Sequence, residues 1–148
     1  MRKIIVLRGK ANTGKTTKIN QIAQWIITNY QPAGEIDLDL SDLTKDSKCV
    51  LVINNISIGI FSKGDVFWDV KNIDSLLLEG GTPPDIIICS CRTRGKGYQH
   101  IVKNYNYSNG WLSAFVYVQE FSDIEAQVSR DSRILNEIKT RLTGLQKL

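Results

Sequence analysis

The chain has 148 residues, 42% of them hydrophobic and 23% charged, which suits one globular domain over residues 1–148 with its own core. Its net charge of +4 is too weak to indicate a nucleic-acid-binding protein by itself. No apolar run is long enough to cross a membrane and no signal peptide precedes the first motif, so we expect a cytoplasmic protein.

A glycine-rich segment from Gly9 to Thr16 follows the first predicted strand. Residues 3–7 before it are apolar and β-branched, as is typical of a buried strand. After it, apolar residues recur at helical spacing from Ile19 to Tyr30, which predicts an amphipathic helix that begins inside the segment. The segment matches the pattern G-x-x-x-x-G-K-[ST], and its strand–loop–helix context is the one that this phosphate-binding motif requires.

The residues of this segment suit the phosphates of a nucleotide. Gly9 and Gly14 allow backbone angles that a side chain would forbid, so successive N–H groups can turn toward an anion. The amides at the start of the following helix point to the same place. Lys15 is predicted to neutralise the β- and γ-phosphates as a catalytic residue, and the Thr16 hydroxyl to bind Mg²⁺.

In these residues the chain resembles the P-loop NTPase superfamily. The resemblance implies ATP or another nucleoside triphosphate as ligand and Mg²⁺ as cofactor, with Thr17 near the α-phosphate. It implies one nucleotide-binding segment formed by Gly9, Asn12, Thr13, Gly14, Lys15, Thr16 and Thr17. It also implies an acidic residue after a buried strand, which positions Mg²⁺ or the attacking group.

The middle of the chain predicts a strand and a hairpin. Residues 35–40 alternate polar and apolar side chains, as a half-exposed strand does. Residues 49–53 and 56–61 are strand-like and are joined by Asn54-Asn55. Asparagine tolerates the positive φ of a two-residue turn, so these two strands should form an antiparallel hairpin.

The rest of the chain alternates helices with strands. Its pattern predicts a helix over residues 66–77, a buried strand over 85–90 and a short helix over 98–105. A last strand over 114–118 precedes a helix whose capping box begins at Ser122. This alternation is typical of a three-layer α/β/α sandwich with a mostly parallel sheet, which the hairpin makes mixed. Together with the resemblance it implies the P-loop NTPase fold.

The acidic residue that the resemblance implies is not at its usual place. The most apolar strand leads into Cys89 and Ser90 instead of a carboxylate. Asp65 is the leading substitute as catalytic and Mg²⁺-binding residue, because it follows strand 56–61 and a turn at the edge where open α/β sheets bind ligands. The same position suits an N-cap of the next helix, so both roles stay open. Asp39 is a weaker candidate.

A basic loop over residues 92–97 follows the apolar strand at the same edge of the sheet. Arg92 and Arg94 are predicted catalytic residues, because the guanidinium group binds phosphate and a cation on the transferred group stabilises the transition state. The loop resembles a compact version of the lid of P-loop kinases, and Gly95 and Gly97 would let it move. The alternative is a solvated basic turn.

The last helix carries apolar residues at a near-heptad spacing, namely Val128, Leu135 and Leu142, with Ile138 and Leu145 offset from them. Packing against the sheet is the favoured interpretation of this pattern, and a homodimer seam is the alternative.

These features predict an Mg-ATP-binding protein that cleaves the β–γ bond, as a small kinase-like phosphotransferase or as an ATPase. An unidentified small molecule or water would accept the phosphoryl group. A nucleotide-dependent switch with slow turnover is one alternative, because no Glu or Gln follows the apolar strand. A nucleic-acid-linked NTPase is another, disfavoured by the mild charge and by the lack of an aromatic–basic stripe.

Overall fold

The computed structural model describes residues 1–34 and 38–142, and within them five strands form one mixed sheet. The strands are β1 (Arg2–Gly9), β2 (Lys48–Ile53), β3 (Ile56–Phe61), β4 (Ile86–Cys91) and β5 (Trp111–Val118). Their order in the sheet is β2-β3-β4-β1-β5. All neighbouring strands are parallel except β2 and β3, which form the hairpin. The predicted α/β class, the mostly parallel sheet and the antiparallel hairpin are confirmed.

Four α-helices lie in the described part of the chain, one after each of β1, β3, β4 and β5. They are α1 (Lys15–Tyr30), α2 (Phe67–Lys71), α3 (Lys96–Asn104) and α4 (Ile124–Arg141), with short 3-10 helices at Asn72–Ser75 and Tyr107–Asn109. Within the described ranges, no helix is both long and apolar enough to cross a bilayer.

Two clusters of buried side chains hold the helices to the sheet. Successive residues of a strand point to opposite faces, so Ile5 and Leu7 of β1 enter one cluster, whereas Ile4 and Val6 enter the other. The first cluster contains apolar residues of α1 and α4, and the second contains residues of α2 and α3. The strong β-branched content of β1 is explained by burial on both sides.

The helix predicted over residues 66–77 is shorter in the structure. It breaks into α2 and a 3-10 turn that ends at Ser75. Leu76 is buried while Leu77 is about half exposed, so the chain leaves the helical register before Leu77. Packing in the second cluster, which contains Leu76, outweighs the local periodicity here.

Other predicted boundaries shift by a few residues. The strand predicted over 35–40 is not formed at residues 38–40, and residues 35–37 lie outside the described ranges. β5 begins three residues earlier and α3 two residues earlier than predicted. The N-cap of α4 is Asp123 and not Ser122, because the Asp123 carboxylate accepts a hydrogen bond of 3.1 Å from the Ala126 amide.

The buried face of α4 differs from the predicted row. Val128 is 61% exposed, Leu135 is only partly buried, and Leu145 lies outside the described ranges. The buried residues of the helix are Arg130, Ile134 and Ile138. Ile134 and Ile138, with Leu142 of the predicted row just after the helix, pack α4 against the sheet and α1 in the first cluster. The alternative of a homodimer seam along the predicted row stays a prediction.

Candidate functional site

A cavity of about 310 Å³, called here the loop cavity, lies at the carboxyl ends of β1, β3 and β4, where parallel sheets bind ligands. One wall is the glycine loop, residues 9–16, with the start of α1. The other walls carry polar side chains, among them Asp46, Ser62, Asp65 and Ser90. The structure therefore brings the sequence motif and several acidic or hydroxyl groups to one place.

The backbone of the glycine loop adopts left-handed angles at two positions. Gly14 has a φ of 83° and Asn12 a φ of 60°, which confirms the need for glycine at residue 14. Gly9 is required for a different reason from the one the sequence indicated. A Cβ there would come within 2.8 Å of the Val118 carbonyl oxygen, so β5 can approach the loop only if residue 9 lacks a side chain.

The ammonium group of Lys15 is buried inside the loop, with 5% of its side chain exposed. It donates hydrogen bonds of 2.5 Å to the Gly9 carbonyl and 2.8 Å to the Lys10 carbonyl. Its third neighbour is the Asp65 carboxylate at 3.5 Å. Burial lowers the pKa of Lys15 from its usual value, and the nearby Asp65 charge opposes this only in part. This arrangement offers an incoming anion a cation that is poorly solvated.

Asp65 lies between two cations and is not a helix cap. Its Oδ1 is 3.5 Å from Lys15 Nζ and 3.8 Å from Arg92 Nε. The N-cap residue of α2 is Val66, so the cap interpretation of Asp65 is wrong. A Cβ at Gly64 would overlap the Ser90 carbonyl, which means that the turn before Asp65 packs directly onto β4.

Asp46 is a residue of the site that the sequence did not reveal. Its Oδ1 lies 3.4 Å from the hydroxyl oxygens of both Thr16 and Ser62, each of which can donate to it. Asp46 precedes β2, whereas the ligand edge of a parallel sheet is formed by residues that follow strands. Because β2 is antiparallel to β3, with Lys48 opposite Phe61, its first residues lie at the ligand edge. The predicted hairpin was the signal that could have identified Asp46.

The segment that carries Asp46 is tied to α1 by buried polar contacts. The Asn20 amide group donates hydrogen bonds of 2.7 Å to the carbonyls of Leu43 and Lys45. Its oxygen accepts one of 2.5 Å from the Ser47 hydroxyl. Asp46 is thereby held between Lys45 and Ser47 at a fixed position over the start of α1.

The other acidic and hydroxyl candidates have structural roles. The Ser90 hydroxyl donates a buried hydrogen bond of 2.7 Å to the Ser62 carbonyl, joining β4 to the end of β3. Asp39 does not line the loop cavity, and its carboxylate accepts a hydrogen bond from the Ser41 amide. The weaker candidate, Asp39, is therefore not brought to the site.

Arg92 and Arg94 line a second, smaller cavity of about 190 Å³, called here the basic cavity. The two cavities share Gly64 and Asp65. Lys96 adds a third cation to the basic cavity. Both arginines therefore lie at the predicted edge of the sheet, next to the glycine loop but not within its cavity.

The basic loop is shorter than the sequence suggested. Lys96 and Gly97 belong to α3, which leaves residues 92–95 as the connection. A Cβ at Gly97 would come within 2.8 Å of a Val70 methyl group. Gly97 therefore allows α2 and α3 to pack closely, and the hinge role predicted for it is wrong.

Arg130 of α4 reaches the glycine loop from outside the cavity, a contact for which the sequence gave no firm signal. Its buried guanidinium donates to the Thr13 carbonyl at 3.2 Å and to the Gln119 carbonyl at 2.7 Å. It also pairs with Asp131 at 2.8 Å, and Asp131 pairs with the buried Lys18 at 2.9 Å. A charged network thus connects α4, α1 and the loop backbone.

The oxygen groups of the loop cavity fit a magnesium ion that is coordinated partly by the protein and partly by a phosphate chain. Within the described ranges, no group of three or more His, Cys, Asp or Glu side chains could hold a metal alone. Mg²⁺ in nucleotide sites usually takes one or two carboxylates, with phosphate and water completing the shell. Thr16, Asp46 and Asp65 supply donors of that kind.

Comparisons with protein-family models, with curated proteins and with solved structures found no match for this chain. Its function therefore has to be inferred from the two cavities and their residues.

Proposed function

We propose that this chain binds a nucleoside triphosphate and Mg²⁺ in the loop cavity and cleaves the β–γ bond, as a small phosphotransferase or as an ATPase. The observation that carries the proposal is the Lys15 ammonium group, buried within a loop that turns at Asn12 and Gly14. A buried cation held by two carbonyls and a half-exposed carboxylate is costly for folding. Such local costs are expected at functional sites.

The shape and chemistry of the loop cavity support a phosphate chain as ligand. The first residues of α1 and the loop backbone form one wall of the cavity, an arrangement that binds anions. Its volume of about 310 Å³ is at the small end for ligand pockets, so the cavity suits the triphosphate and the metal. The base and ribose would extend beyond it, and ATP is the nucleotide we propose.

The proposal includes the P-loop NTPase fold, a three-layer α/β/α sandwich, and a cytoplasmic location. The partition of the helices between two core clusters supports the three layers. The position of β1 between the parallel strands β4 and β5, with the glycine loop at its end, supports the P-loop arrangement.

The cations around Asp65 support bond cleavage. Lys15 and Arg92 flank its carboxylate, so a γ-phosphate beside Asp65 would meet both positive charges. Charge that develops on the transferred group would be stabilised there. When bound, Mg²⁺ would neutralise the β- and γ-phosphates. Thr16 with Asp46 or Asp65 would hold the ion.

One observation favours the nucleotide-dependent switch as a second candidate. β4 is the neighbour of β1 in the sheet, and the residue near its carboxyl end is Ser90, whose hydroxyl donates to a carbonyl. A carboxylate at this place would activate or orient the attacking group. Its replacement by a bonded serine fits slow turnover. Within the described ranges, no comparable observation favours a nucleic-acid-linked NTPase.

The test follows the γ-phosphate of Mg-ATP by ³¹P NMR, with and without a small-molecule cell extract. A new phosphoester that forms only with extract would indicate a kinase, and free phosphate alone would indicate an ATPase. Bound ATP without turnover would favour the switch. Lys15→Ala should abolish binding and turnover, whereas Lys103→Ala, at an exposed lysine that lines neither cavity, should change neither. Unchanged binding in Lys15→Ala would overturn the proposal.

A further inference from the structure

We propose that the basic cavity binds the phosphate group of a small phosphorylated acceptor, which receives the γ-phosphoryl group of the nucleotide. This inference rests on the proposed function and adds to it the chemical class of the second substrate. It is carried by the shared wall of the two cavities, by the charge of the smaller one and by its size.

The shared wall places the two ligands next to each other. Gly64 and Asp65 line both cavities, and Asp65 is in contact with Lys15 on one side and Arg92 on the other. A phosphate chain beside Lys15 and an acceptor beside Arg92 would therefore meet at the Asp65 carboxylate. Adjacent sites of this kind turn a bimolecular reaction into one within a single complex.

The charge of the basic cavity matches a phosphate monoester. Arg92, Arg94 and Lys96 contribute three positive charges and Asp65 one negative charge, which leaves two positive charges. The side chains of Arg94 and Lys96 have no hydrogen bond or ion pair with any other residue that the structure describes. A phosphate monoester carries close to two negative charges at neutral pH and has three acceptor oxygens, whereas a carboxylate would leave a cation unpaired.

The size of the cavity indicates that the rest of the acceptor lies outside it. A volume of about 190 Å³ accommodates a phosphate group and a few further atoms. Its apolar wall is formed by Val66 and Phe67, with the ring of Phe67 packed 5.3 Å from that of Trp68. Trp68 is 67% exposed, so its ring adds an apolar surface next to Phe67 on which a sugar or base can pack.

The transfer step needs no further reactant. A hydroxyl oxygen of the acceptor attacks the γ-phosphorus and forms a new P–O bond. The bond between the γ-phosphorus and the bridging oxygen breaks, and the nucleoside diphosphate leaves with its electron pair. The hydroxyl proton passes to the Asp65 carboxylate, which borders both ligands.

The first experiment measures ligand binding by isothermal titration calorimetry. Ribose 5-phosphate is titrated into protein that contains Mg²⁺ and a non-hydrolysable ATP analogue, and ribose serves as the uncharged probe. We expect ribose 5-phosphate to bind and ribose not to bind.

Arg94→Ala should weaken the binding of ribose 5-phosphate about tenfold or more, the loss expected for a charge-assisted hydrogen bond. Arg94→Lys should restore part of it, and Arg141→Ala, at a cation paired with Glu137 on α4, should have no effect.

The second experiment tests the acceptor role by the formation of ADP from Mg-ATP. Sugar phosphates and nucleoside monophosphates are compared with their dephosphorylated counterparts. At least one phosphorylated compound should accelerate ADP formation, with its KM raised about tenfold in Arg94→Ala while the affinity for the ATP analogue stays the same.

The two proposals can fail separately. If ribose binds as well as ribose 5-phosphate, or Arg94→Ala leaves the binding unchanged, the basic cavity is not a phosphate site, although ATP binding still stands. If no phosphorylated compound accelerates ADP formation, the acceptor role is overturned. If the ATP analogue itself does not bind, the proposed function fails and the transfer fails with it.

Discussion

Two carboxylates approach the glycine loop from different sides, and their neighbours give them different chemistry. Asp46 lies 3.4 Å from the Thr16 hydroxyl, the group that we propose as a Mg²⁺ ligand. Asp65 lies 3.5 Å from the Lys15 ammonium group and is half exposed between the two cavities. Under the proposed function, Asp46 is therefore the better placed of the two to bind Mg²⁺, and Asp65 the better placed to accept a proton.

The substitutions Asp46→Asn and Asp65→Asn should separate these roles. Asp46→Asn should raise the Mg²⁺ concentration for half-maximal turnover about 10- to 100-fold, as the loss of a group at a metal site usually does. Asp65→Asn should lower kcat about 10²- to 10⁴-fold with little change in Mg²⁺ dependence, the range for loss of a general base. Turnover is measured against Mg²⁺ at saturating ATP, with Asp39→Asn as control. If Asp65→Asn changed the Mg²⁺ dependence and Asp46→Asn changed only kcat, Asp65 would be the metal ligand instead.

Lys15 and Asp46 differ in how far their place in the site follows from neighbouring residues in the chain. Lys15 and Thr16 belong to a motif of eight consecutive residues, so their placement follows from local geometry. The contact of Asp46 with Thr16 joins residues 30 positions apart. It depends on the pairing of β2 with β3, which the Asn54-Asn55 turn indicates, and on the Asn20 contacts to the same segment, which have no local signal.

Among the elements, α4 has a connection to the site that its sequence pattern does not indicate. Its buried face begins with Arg130, which donates to the Thr13 carbonyl in the glycine loop. Asp131 beside it pairs with Lys18 of α1, and Lys18 donates to the Gly14 carbonyl. Two helices thus hold the backbone of the loop through charged side chains.

Substitution of Arg130 by alanine should loosen the loop and weaken nucleotide binding. The carbonyls of Thr13 and Gln119 would lose their buried donor, and an unsatisfied buried acceptor costs about 1–3 kcal/mol of stability. We expect affinity for Mg-ATP to fall about tenfold, because the loop must then be ordered on binding. Chemical denaturation and calorimetry measure the two effects.

Arg133, exposed one turn later on α4, supplies the control for this prediction. Arg133→Ala should change the free energy of unfolding by no more than about 0.5 kcal/mol. Arg130→Lys should recover part of the affinity if the charge that supports the loop is what matters. Equal affinities for Arg130→Ala and the unchanged protein would show that α4 stabilises the fold without organising the loop.

The elements themselves were largely predictable, and their ends were not. Six strand-like runs were predicted, and the five that form strands reflect burial and β-branched residues that act locally. Four of these five end within two residues of their predicted bounds, and the run over 35–40 forms no strand at residues 38–40. The end of the second helical segment depends on which of Leu76 and Leu77 enters the core. The start of α4 depends on whether Ser122 or Asp123 reaches the free amides. In both cases the two possible boundaries differ by one residue, and tertiary contacts decide which one forms.

At the scale of the whole molecule, the buried charge in the loop cavity links stability to function. Burial lowers the pKa of Lys15 below its unfolded value, near 10.5. The folded state therefore binds fewer protons than the unfolded state between those two pKa values, and stability rises with pH across this window. Below the lowered pKa the charged form destabilises the fold, and above about 10.5 this cost is absent. Phosphates would remove the same cost by pairing with the ammonium group.

Lys15→Met should therefore shift stability in opposite directions with and without nucleotide. Without nucleotide at neutral pH, the variant should be more stable, on the order of 1 kcal/mol, as when a strained functional group is replaced. This gain should shrink as the pH rises from the lowered pKa of Lys15 toward 10.5. Mg-ATP at about 100 times its Kd should stabilise the unchanged protein by about 2.7 kcal/mol and Lys15→Met by almost nothing. Chemical denaturation across this pH range measures each value, with Lys103→Met as control. If Lys15→Met is less stable than the unchanged protein without nucleotide, then the contacts of Lys15 with Gly9, Lys10 and Asp65 outweigh the cost of its burial. Lys15 would then stabilise the glycine loop even when no ligand is bound.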